Sequence, residues 1–257
     1  MKRASAFVQS LLFAAQALFV PLPALAAEAP PSASAPASAA SAGPIGMVEQ
    51  PCVSARPGPS DWAGLCRYTD DNARILAAKH LPHVVFLGDS ITELWVKGDP
   101  ALFSDEVVGR GISGQTSAQM LLRFHADVVD LHPQIVHIMA GTNDVAGNGG
   151  PTSEAAWRNN IMAMVEIAQA HGIKVVLASI PPAARFGWRT ELHPAAQIVR
   201  LNGWLRAYAE RQGLRYVDYY PLLATPDGAM RPEFSGDGVH PNPGGYAAIH
   251  ELAATVR

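Results

Sequence analysis

Five short apolar segments alternate with helical patterns along this 257-residue chain, and this alternation constrains its fold more than any other feature. The apolar segments are strand-like in length and composition and cover residues 84–87, 106–109, 135–140, 174–180 and 214–219. Parallel strands need long crossover connections, which are usually helices. The sequence therefore predicts an α/β domain with a five-stranded, mostly parallel sheet and helices on both of its faces.

Polar motifs follow three of the predicted strands, and a fourth motif precedes the last predicted helix. Gly88-Asp89-Ser90 ends the first apolar segment, Ser113-Gly114 follows the second, and Gly141-Thr142-Asn143-Asp144 follows the third. The fourth motif is Asp237-Gly238-Val239-His240. Ligands of such sheets bind beyond the carboxyl ends of the strands. The motifs are therefore expected to meet in one site.

The first motif places a serine between a buried strand and a helix. The hydroxyl of Ser90 is then expected beside the free backbone amides of a helix N-terminus, where negative charge is stabilised. Asp and Ser are also common N-cap residues. Taken alone, Gly-Asp-Ser fits a helix cap as well as it fits a nucleophile.

The fourth motif suggests a catalytic pair. Asp237 precedes His240 by three residues, in a loop that is rich in glycine and bounded by proline. This spacing allows the carboxylate to accept a hydrogen bond from the imidazole Nδ1–H, which leaves Nε2 free to take a proton from a serine. A surface turn could carry the same four residues, and it is the combination with the other motifs that favours a catalytic role.

Together and in this order, the four motifs resemble those of the SGNH (GDSL-type) hydrolase superfamily of serine esterases and lipases. The resemblance extends from about residue 84 to the C-terminus and implies a three-layer α/β/α flavodoxin-like fold. It also implies that Ser90 is the nucleophile, that His240 is the general base and then acid, and that Asp237 orients the histidine. The implied oxyanion hole consists of the backbone amides of Ser90 and Gly114 and the side-chain amide of Asn143.

Details around the motifs refine this resemblance. Thr142 stands where many relatives carry a second glycine, and it leaves Asn143 in place. No Gly-x-Ser-x-Gly motif surrounds Ser90, which argues against the α/β-hydrolase family. Asp89 and Asp144 are interpreted as structural residues that cap or brace their turns.

The predicted substrate is an ester with a short acyl group, because the sequence contains no long apolar lid. Trp95, Arg185 and Trp188 are candidate substrate-binding residues, since aromatic faces flanked by arginines suit the stacking and recognition of sugars. Ordinary packing is an alternative role, and for Trp95 it is the favoured one. The chain also resembles bacterial carbohydrate O-acetylesterases, which implies a small-molecule or polysaccharide ester as substrate. A lysophospholipase or thioesterase and a non-catalytic carbohydrate-binding module are the alternatives.

The N-terminal segment, residues 1–26, has the pattern of a secretory signal peptide. Lys2 and Arg3 precede an interrupted apolar run, and Ala24-Leu25-Ala26 is a small-x-small cleavage pattern. Because the run is too short and too polar for a membrane span, we predict a periplasmic or secreted protein that is not inserted in the membrane after cleavage. Residues 27–45 are rich in Ala, Pro and Ser, which predicts a disordered linker, and residues 46–257 form the predicted hydrolase domain.

The two cysteines, Cys52 and Cys66, flank a segment rich in Pro and Gly, and in an exported protein this pattern predicts a disulfide. The histidines outside the fourth motif show no metal-ligand spacing, so we predict no metal and no cofactor. A formal net charge of −3 without a basic run argues against a nucleic-acid partner.

Overall fold

The computed structural model describes residues 51–52 and 58–257. The predicted signal peptide, residues 1–26, and the predicted linker, residues 27–45, lie outside the described residues. The strands are β1 (Val84–Gly88), β2 (Val107–Gly111), β3 (Ile135–Met139), β4 (Lys174–Ala178) and β5 (Arg215–Val217). Each predicted strand is present, with ends that differ by one or two residues.

The strands pair in parallel in the order β2-β1-β3-β4-β5. This is the flavodoxin-like order, and it confirms the expected α/β fold. After β1 the chain forms β2 on one side of β1 and then crosses over to form β3 on the other side. The gap between the ends of β1 and β3 is therefore a topological switch point. None of the helices in residues 51–52 and 58–257 has the length and apolar character of a membrane span.

Helices connect the strands and cover both faces of the sheet. They are α1 (Thr69–Ala78), α2 (Ser90–Gly98), α3 (Ser117–Leu122), α4 (Phe124–Asp127), α5 (Thr142–Ala146), α6 (Glu154–Ala170), α7 (Ala195–Gln212), α8 (Tyr220–Leu223) and α9 (Pro243–Ala254), with 3₁₀ turns at Val129–Leu131 and Pro232–Phe234. Ser153 caps α6 by accepting a hydrogen bond from the Ala156 amide at 3.1 Å. Gly213 ends α7 in the left-handed conformation that favours glycine.

Each face of the sheet has its own apolar core, because successive strand side chains point in opposite directions. Val85 and Leu87 of β1 belong to the core that includes α3, α6 and α7. Val84 and Phe86 belong to the core that includes α2 and α9, where Trp95 is also buried. The burial of β1 along its whole length fixes the position of the residues that follow it.

One predicted helix is divided in the structure. The apolar pattern from Ser117 to Leu131 predicts a single amphipathic helix, but the chain forms α3, α4 and a 3₁₀ turn there. The backbone leaves helical geometry at Arg123, with φ −96° and ψ 4°, and again at Val128, with φ −130° and ψ −63°. Phe124 and Leu131 are nevertheless fully buried. The apolar pattern therefore predicted correctly which residues are buried, but it was wrong in predicting one continuous helix.

The N-terminal part of the described chain is joined to the domain by covalent and hydrogen bonds. Cys52 and Cys66 form the predicted disulfide. The carbonyl oxygen of Ala63 accepts a hydrogen bond from Nε2 of Gln115 at 2.6 Å. This segment therefore lies against the turn that follows β2.

Candidate active site

The chain turns sharply between β1 and α2, and this turn carries Ser90. Asp89 caps α2, since its Oδ1 accepts a hydrogen bond from the Ile91 amide at 2.9 Å. A Cβ atom on Gly88 would lie 2.0 Å from Oγ1 of Thr92, so only glycine fits there without a shift. The turn presents a half-buried Ser90 at the carboxyl edge of the sheet.

His240 reaches Ser90 from the loop that precedes α9. Nε2 of His240 lies 2.9 Å from Oγ of Ser90, and Nδ1 lies 2.6 Å from Oδ2 of Asp237. The Oδ1 atom of Asp237 accepts hydrogen bonds from the amides of Val239 and His240 at 2.9 and 2.8 Å. The structure therefore brings the three side chains named from the sequence into one hydrogen-bonded row.

The hydrogen bonds to Asp237 set its protonation. Partial burial acts to raise the pKa of Asp237, but the hydrogen bonds from the His240 ring and from the His240 and Val239 amides outweigh it and lower the pKa to about 2. Asp237 is therefore ionised at neutral pH and can only accept a hydrogen bond from Nδ1–H. Nε2 of His240 is then the nitrogen that is free to accept the hydroxyl proton of Ser90.

Gly114 and Asn143 line the same surface depression as Ser90. Gly114 has a φ of +79°, in the left-handed region that favours glycine. Asn143 is buried at the start of α5, and its Nδ2 donates to Oδ2 of Asp89 at 3.2 Å and to the carbonyl oxygen of Gln115 at 3.1 Å. A peptide amide and a side-chain amide, both expected from the sequence, thus lie close to the serine.

The depression has a volume of about 350 Å³. Its lining consists of Ser90, Leu94, Ser113, Gly114, Asn143, Asn148, Trp188 and His240. A larger cavity of about 730 Å³ shares Leu94 and Ser113 with it and extends along α2 and β2. The serine and histidine line the smaller depression, which is therefore the candidate active site.

The three candidate substrate-binding residues lie in different places. Trp188 is 45% exposed and lines the depression, with its ring centroid 6.4 Å from that of His240. Arg185 is exposed on the loop after β4 and is not part of the lining. Trp95 has the packing role that the sequence favoured and not the substrate-binding role for which it was also a candidate, because it is completely buried and stacks on Tyr246. It follows Ile91 by one helical turn and so faces the same core.

Asp89 and Asp144 brace their turns, in agreement with the sequence analysis. Asp144 accepts hydrogen bonds from the hydroxyl and the amide of Ser117 at 2.6 and 2.9 Å. Burial raises the pKa of Asp144, although the hydrogen bonds from Ser117 act against it. Burial also raises the pKa of Asp89 to about 6, against the opposing effects of the Ile91 amide and the charge of His240.

A buried polar network that the sequence pattern does not indicate lies behind these turns. Arg123 is completely buried, and its guanidinium donates to Oδ2 of Asp127 at 2.9 Å. It also donates to Oε1 of Gln115 at 2.6 Å and to the carbonyl oxygen of Gly88 at 2.9 Å. Arg123 therefore connects the backbone just before Ser90 with the turn after β2. In the sequence the only signal is an Arg–Asp spacing of four residues, which is typical of a surface pair on a helix.

Glu93 holds the residue next to Gly114, a role that the sequence pattern did not indicate. Its carboxylate accepts hydrogen bonds from the amide and the hydroxyl of Ser113 at 2.8 and 2.5 Å, and from Arg67 at 3.0 Å. Burial acts to raise the pKa of Glu93, but the hydrogen bonds from Ser113 and Arg67 outweigh it and lower the pKa. The turn that carries Gly114 is therefore fixed from the side of α2.

The arrangement is suited to nucleophilic chemistry. A hydroxyl that is hydrogen-bonded to an imidazole, itself bonded to a carboxylate, can attack an electrophile with loss of its proton to the imidazole. Amide donors nearby can stabilise the negative charge that forms. In residues 51–52 and 58–257, no group of three or more His, Cys, Asp and Glu side chains is placed to hold a metal ion.

Comparisons with known proteins cover the whole site. Residues 86–248 match the model of the GDSL-like lipase/acylhydrolase family, and this range includes all four motifs. A GDSL-like lipase from Bacteroides thetaiotaomicron VPI-5482 has a similar structure, with a TM-score of 0.71, 43% identity and coverage of 76% of this chain and 97% of that chain. The acetyl xylan esterase AlAXEase has a TM-score of 0.57 and 25% identity, with coverage of 67% of this chain and 98% of that chain.

One relative is similar to this chain over a shorter range. The uncharacterized lipoprotein YqeF of Bacillus subtilis strain 168 is 39% identical over 80 residues. The match covers 30% of this chain and 33% of the lipoprotein, so it spans about one third of that relative's length.

Proposed function

The chain belongs to the GDSL-like lipase/acylhydrolase family, within the SGNH hydrolase superfamily, and we propose that it is an exported serine esterase for short-chain O-acyl esters. We further propose acetyl esters of carbohydrates as its substrates. The observation that carries the proposal is the hydrogen-bonded row of Ser90, His240 and Asp237 at the edge of an open depression.

In the proposed first half-reaction, Oγ of Ser90 attacks the carbonyl carbon of the ester while Nε2 of His240 takes the hydroxyl proton. The ionised carboxylate of Asp237 stabilises the imidazolium through Nδ1–H. When the tetrahedral intermediate collapses, the bond to the alcohol oxygen breaks and the imidazolium returns the proton to that oxygen. The alcohol leaves, and the acyl group remains as an ester of Ser90.

In the second half-reaction, water takes the place of the alcohol. His240 removes a proton from the water as its oxygen adds to the acyl carbon. Collapse of the second tetrahedral intermediate breaks the bond to Oγ, and His240 returns the proton to Ser90. The products are the free carboxylic acid and the original enzyme.

Negative charge on the carbonyl oxygen is proposed to be stabilised by the amides of Ser90 and Gly114 and by Nδ2 of Asn143. Nδ2 already donates to Asp89 and to the Gln115 carbonyl, so one of these hydrogen bonds is shared with the oxyanion during turnover. Loss of one donor of this kind typically costs about 3 kcal/mol of transition-state stabilisation.

The dimensions of the depression support a short acyl group. Its volume of about 350 Å³ is small for a ligand pocket. Leu94 offers apolar surface beside Ser90, and the exposed ring of Trp188 offers a flat face against which a sugar can stack. The similarity to an acetyl xylan esterase supports both the acetyl group and the carbohydrate.

Longer acyl esters, as in a lysophospholipase or a thioesterase, are the second candidate, and one observation favours them. The cavity of about 730 Å³ shares Leu94 and Ser113 with the depression. Apolar side chains, among them Val96 and Phe103, line it. An acyl chain that passed Leu94 would find apolar surface there.

We propose that the protein acts in the periplasm or outside the cell. The proposal is based on the signal-peptide pattern of residues 1–26. It is supported by the disulfide between Cys52 and Cys66, because disulfides form and persist in oxidising compartments.

Initial rates of hydrolysis of p-nitrophenyl acetate, butyrate, octanoate and palmitate test the proposal. The expected result is a rate that is highest for acetate, falls with chain length and is lost in Ser90→Ala. Ser60→Ala, at an exposed serine, is the matched control and should keep the wild-type rate. Rates that rise with chain length would favour the second candidate, and equal rates in the wild type and Ser90→Ala would refute both.

Release of acetate from acetylated xylan fragments tests the proposed carbohydrate. The wild type should release acetate and Ser90→Ala should not. Binding of the fragments by both proteins without release of acetate would instead identify a non-catalytic carbohydrate-binding module.

A further inference from the structure

A row of hydrogen bonds leads from the exposed Trp188 to the amide of Asn143. Nε1 of Trp188 donates to Oδ1 of Asn148 at 2.9 Å. Nδ2 of Asn148 donates to Oδ1 of Asn143 at 2.5 Å. Nδ2 of Asn143 in turn donates to Asp89 and to the carbonyl oxygen of Gln115. Asn148 and Trp188 line the depression but do not belong to the triad.

The chemistry of the two ends determines the direction of this row. An indole N–H can only donate, so it must face the oxygen of Asn148 and not its nitrogen. The nitrogen of Asn148 then faces Asn143 and must meet its oxygen. At the other end, the Asp89 carboxylate and the Gln115 carbonyl can only accept, so they must face the nitrogen of Asn143. Both ends therefore require the same orientation of the Asn143 amide.

The local backbone brings Asn148 back to Asn143. α5 is a single short helix, and Gly147 ends it in the left-handed conformation with a φ of +69°. The Asn148 amide donates to the carbonyl oxygen of Asn143 at 3.0 Å. The side chains of the two asparagines therefore lie together at the end of one turn. Phe186, which is fully buried, supports the ring of Trp188 at a centroid distance of 5.2 Å.

We propose that Asn148 is a positioning residue that fixes the orientation of the Asn143 amide and that Trp188 fixes Asn148 in turn. The inference rests on the proposed function, in which the nitrogen of Asn143 faces the oxyanion. A rotation of the Asn143 amide by half a turn would place its oxygen there and repel the developing charge. Asn148 prevents this rotation because its Nδ2 donates a hydrogen bond to Oδ1 of Asn143.

Replacing Asn148 with Asp is the sharpest test, because the change keeps the shape and removes the donor. One carboxylate oxygen can still accept from Trp188, and the other faces Asn143 and attracts its nitrogen. We expect kcat and kcat/KM for p-nitrophenyl acetate to fall together by about 100-fold, as after loss of an oxyanion donor. Asn148→Ala, which removes the donor without attracting the nitrogen, should lose less activity. Trp188→Phe, which keeps an aromatic ring at this position and removes the N–H donor, should lose the least activity.

A double-mutant cycle separates positioning from a structural or purely electrostatic effect. In an Asn143→Ala background, Asn148→Asp should cause no additional loss of kcat, since the amide it orients is absent. Repulsion between the new carboxylate and the oxyanion, or general damage to the fold, would still lower kcat in that background. Asn159→Ala, at an exposed asparagine of α6, is the matched control and should keep the wild-type kcat.

The outcomes separate this inference from the proposed function. If Ser90→Ala abolishes hydrolysis while Asn148→Asp stays within about threefold of the wild type, only the inference is overturned. It is also overturned if the losses of Asn143→Ala and Asn148→Asp add. If Ser90→Ala hydrolyses the ester as fast as the wild type, the proposed function fails and the inference falls with it. Melting temperatures of all variants establish that each of them is folded.

Discussion

Replacing Arg123 with Met tests the buried network on which both active-site turns rest. The variant removes a fully buried guanidinium and keeps much of its volume. It leaves the carboxylate of Asp127, whose side chain is 3% exposed, without its charged partner. The Gln115 side chain and the Gly88 carbonyl also lose a hydrogen-bond donor. Removing one partner of a buried ion pair typically costs 3–5 kcal/mol, so we expect a loss of about 4 kcal/mol.

A second substitution reveals whether the cost comes from an uncompensated charge. Asp127→Asn removes the charge and keeps an oxygen that can accept the hydrogen bond of Asn72, which is 2.8 Å long in the wild type. The double variant should therefore be at least as stable as Arg123→Met alone, because it contains no unpaired buried charge. Arg200→Met is the matched control, since Arg200 is 57% exposed and its pair with Glu154 lies at the surface. We expect that control to lose at most about 1 kcal/mol.

Urea unfolding followed by far-UV circular dichroism gives the free energies by linear extrapolation. A loss of about 4 kcal/mol is a large part of the stability of a domain, which is usually about 5–15 kcal/mol. The reasoning would be refuted if Arg123→Met lost less than about 1 kcal/mol, or if Asp127→Asn further destabilised it. The folded fraction of Arg123→Met should also hydrolyse esters more slowly, because Gly88 and Gln115 adjoin the two turns of the site.

Four further predictions concern charges and the disulfide. The pKa of the Asp89 carboxyl is about 6 in the folded protein and 3.8 ordinarily, so between these pH values the folded state keeps a proton that the unfolded state has lost. The free energy of unfolding of the wild type, measured in urea relative to that of Asp89→Asn, should therefore fall by up to ~3 kcal/mol as the pH rises from about 4 to 7. A difference that is independent of pH would contradict this. The pKa of Asp237 is about 2, so its ionised carboxylate stabilises the folded state above the unfolded pKa, and this effect is lost only as the pH falls toward 2. Because Asp237 stays ionised above about pH 4, its titration should cause no inflection in the pH profile of kcat there. Asp237→Asn should lower kcat by about 10⁴-fold in the ester assay, and a loss below about tenfold would argue against its role. Replacing Cys52 and Cys66 with Ser should cost about 3 kcal/mol, the chain-entropy value for a loop of this length, and should lower the melting temperature; an unchanged melting temperature would contradict it.

The strands could be predicted from the sequence because they are short and largely apolar, and the central strand β1 is buried along its whole length. A strand such as β1 has to be apolar at every position, so it stands out from the amphipathic helices on either side. The position of the site then follows from the rule that ligands bind at the carboxyl ends of parallel strands. The position of Ser90 was predicted in this way, and the spacing of Asp237 and His240 predicted their pairing. The resemblance of the motifs added the oxyanion roles of Gly114 and Asn143.

The residues that hold the site in place could not be predicted, because their partners are distant in sequence. Arg123 has the local signature of a surface residue, and its burial depends on Gly88, which lies 35 residues earlier. Asn148 lies near Asn143, but its role depends on Trp188, which lies 40 residues later. Trp95 was left with two candidate roles for a local reason. Its aromatic side chain was compatible with substrate binding and with packing, and only the face of α2 on which it lies decided between them.

The strand order explains why groups from distant segments meet at one point. β1 and β3 are neighbours, but β1 connects toward β2 on one side and β3 connects toward β4 on the other. Right-handed crossovers in opposite directions place their helices on opposite faces of the sheet, which leaves a crevice between the two strand ends. Ser90 begins the helix on one side of this crevice, and Asn143 lies in the first turn after the strand on the other side. Asp89 spans the gap, since one of its oxygens caps α2 and the other accepts from Asn143. The Asp89 carboxylate, although costly to bury, therefore links the turn of the nucleophile to the side-chain amide of Asn143.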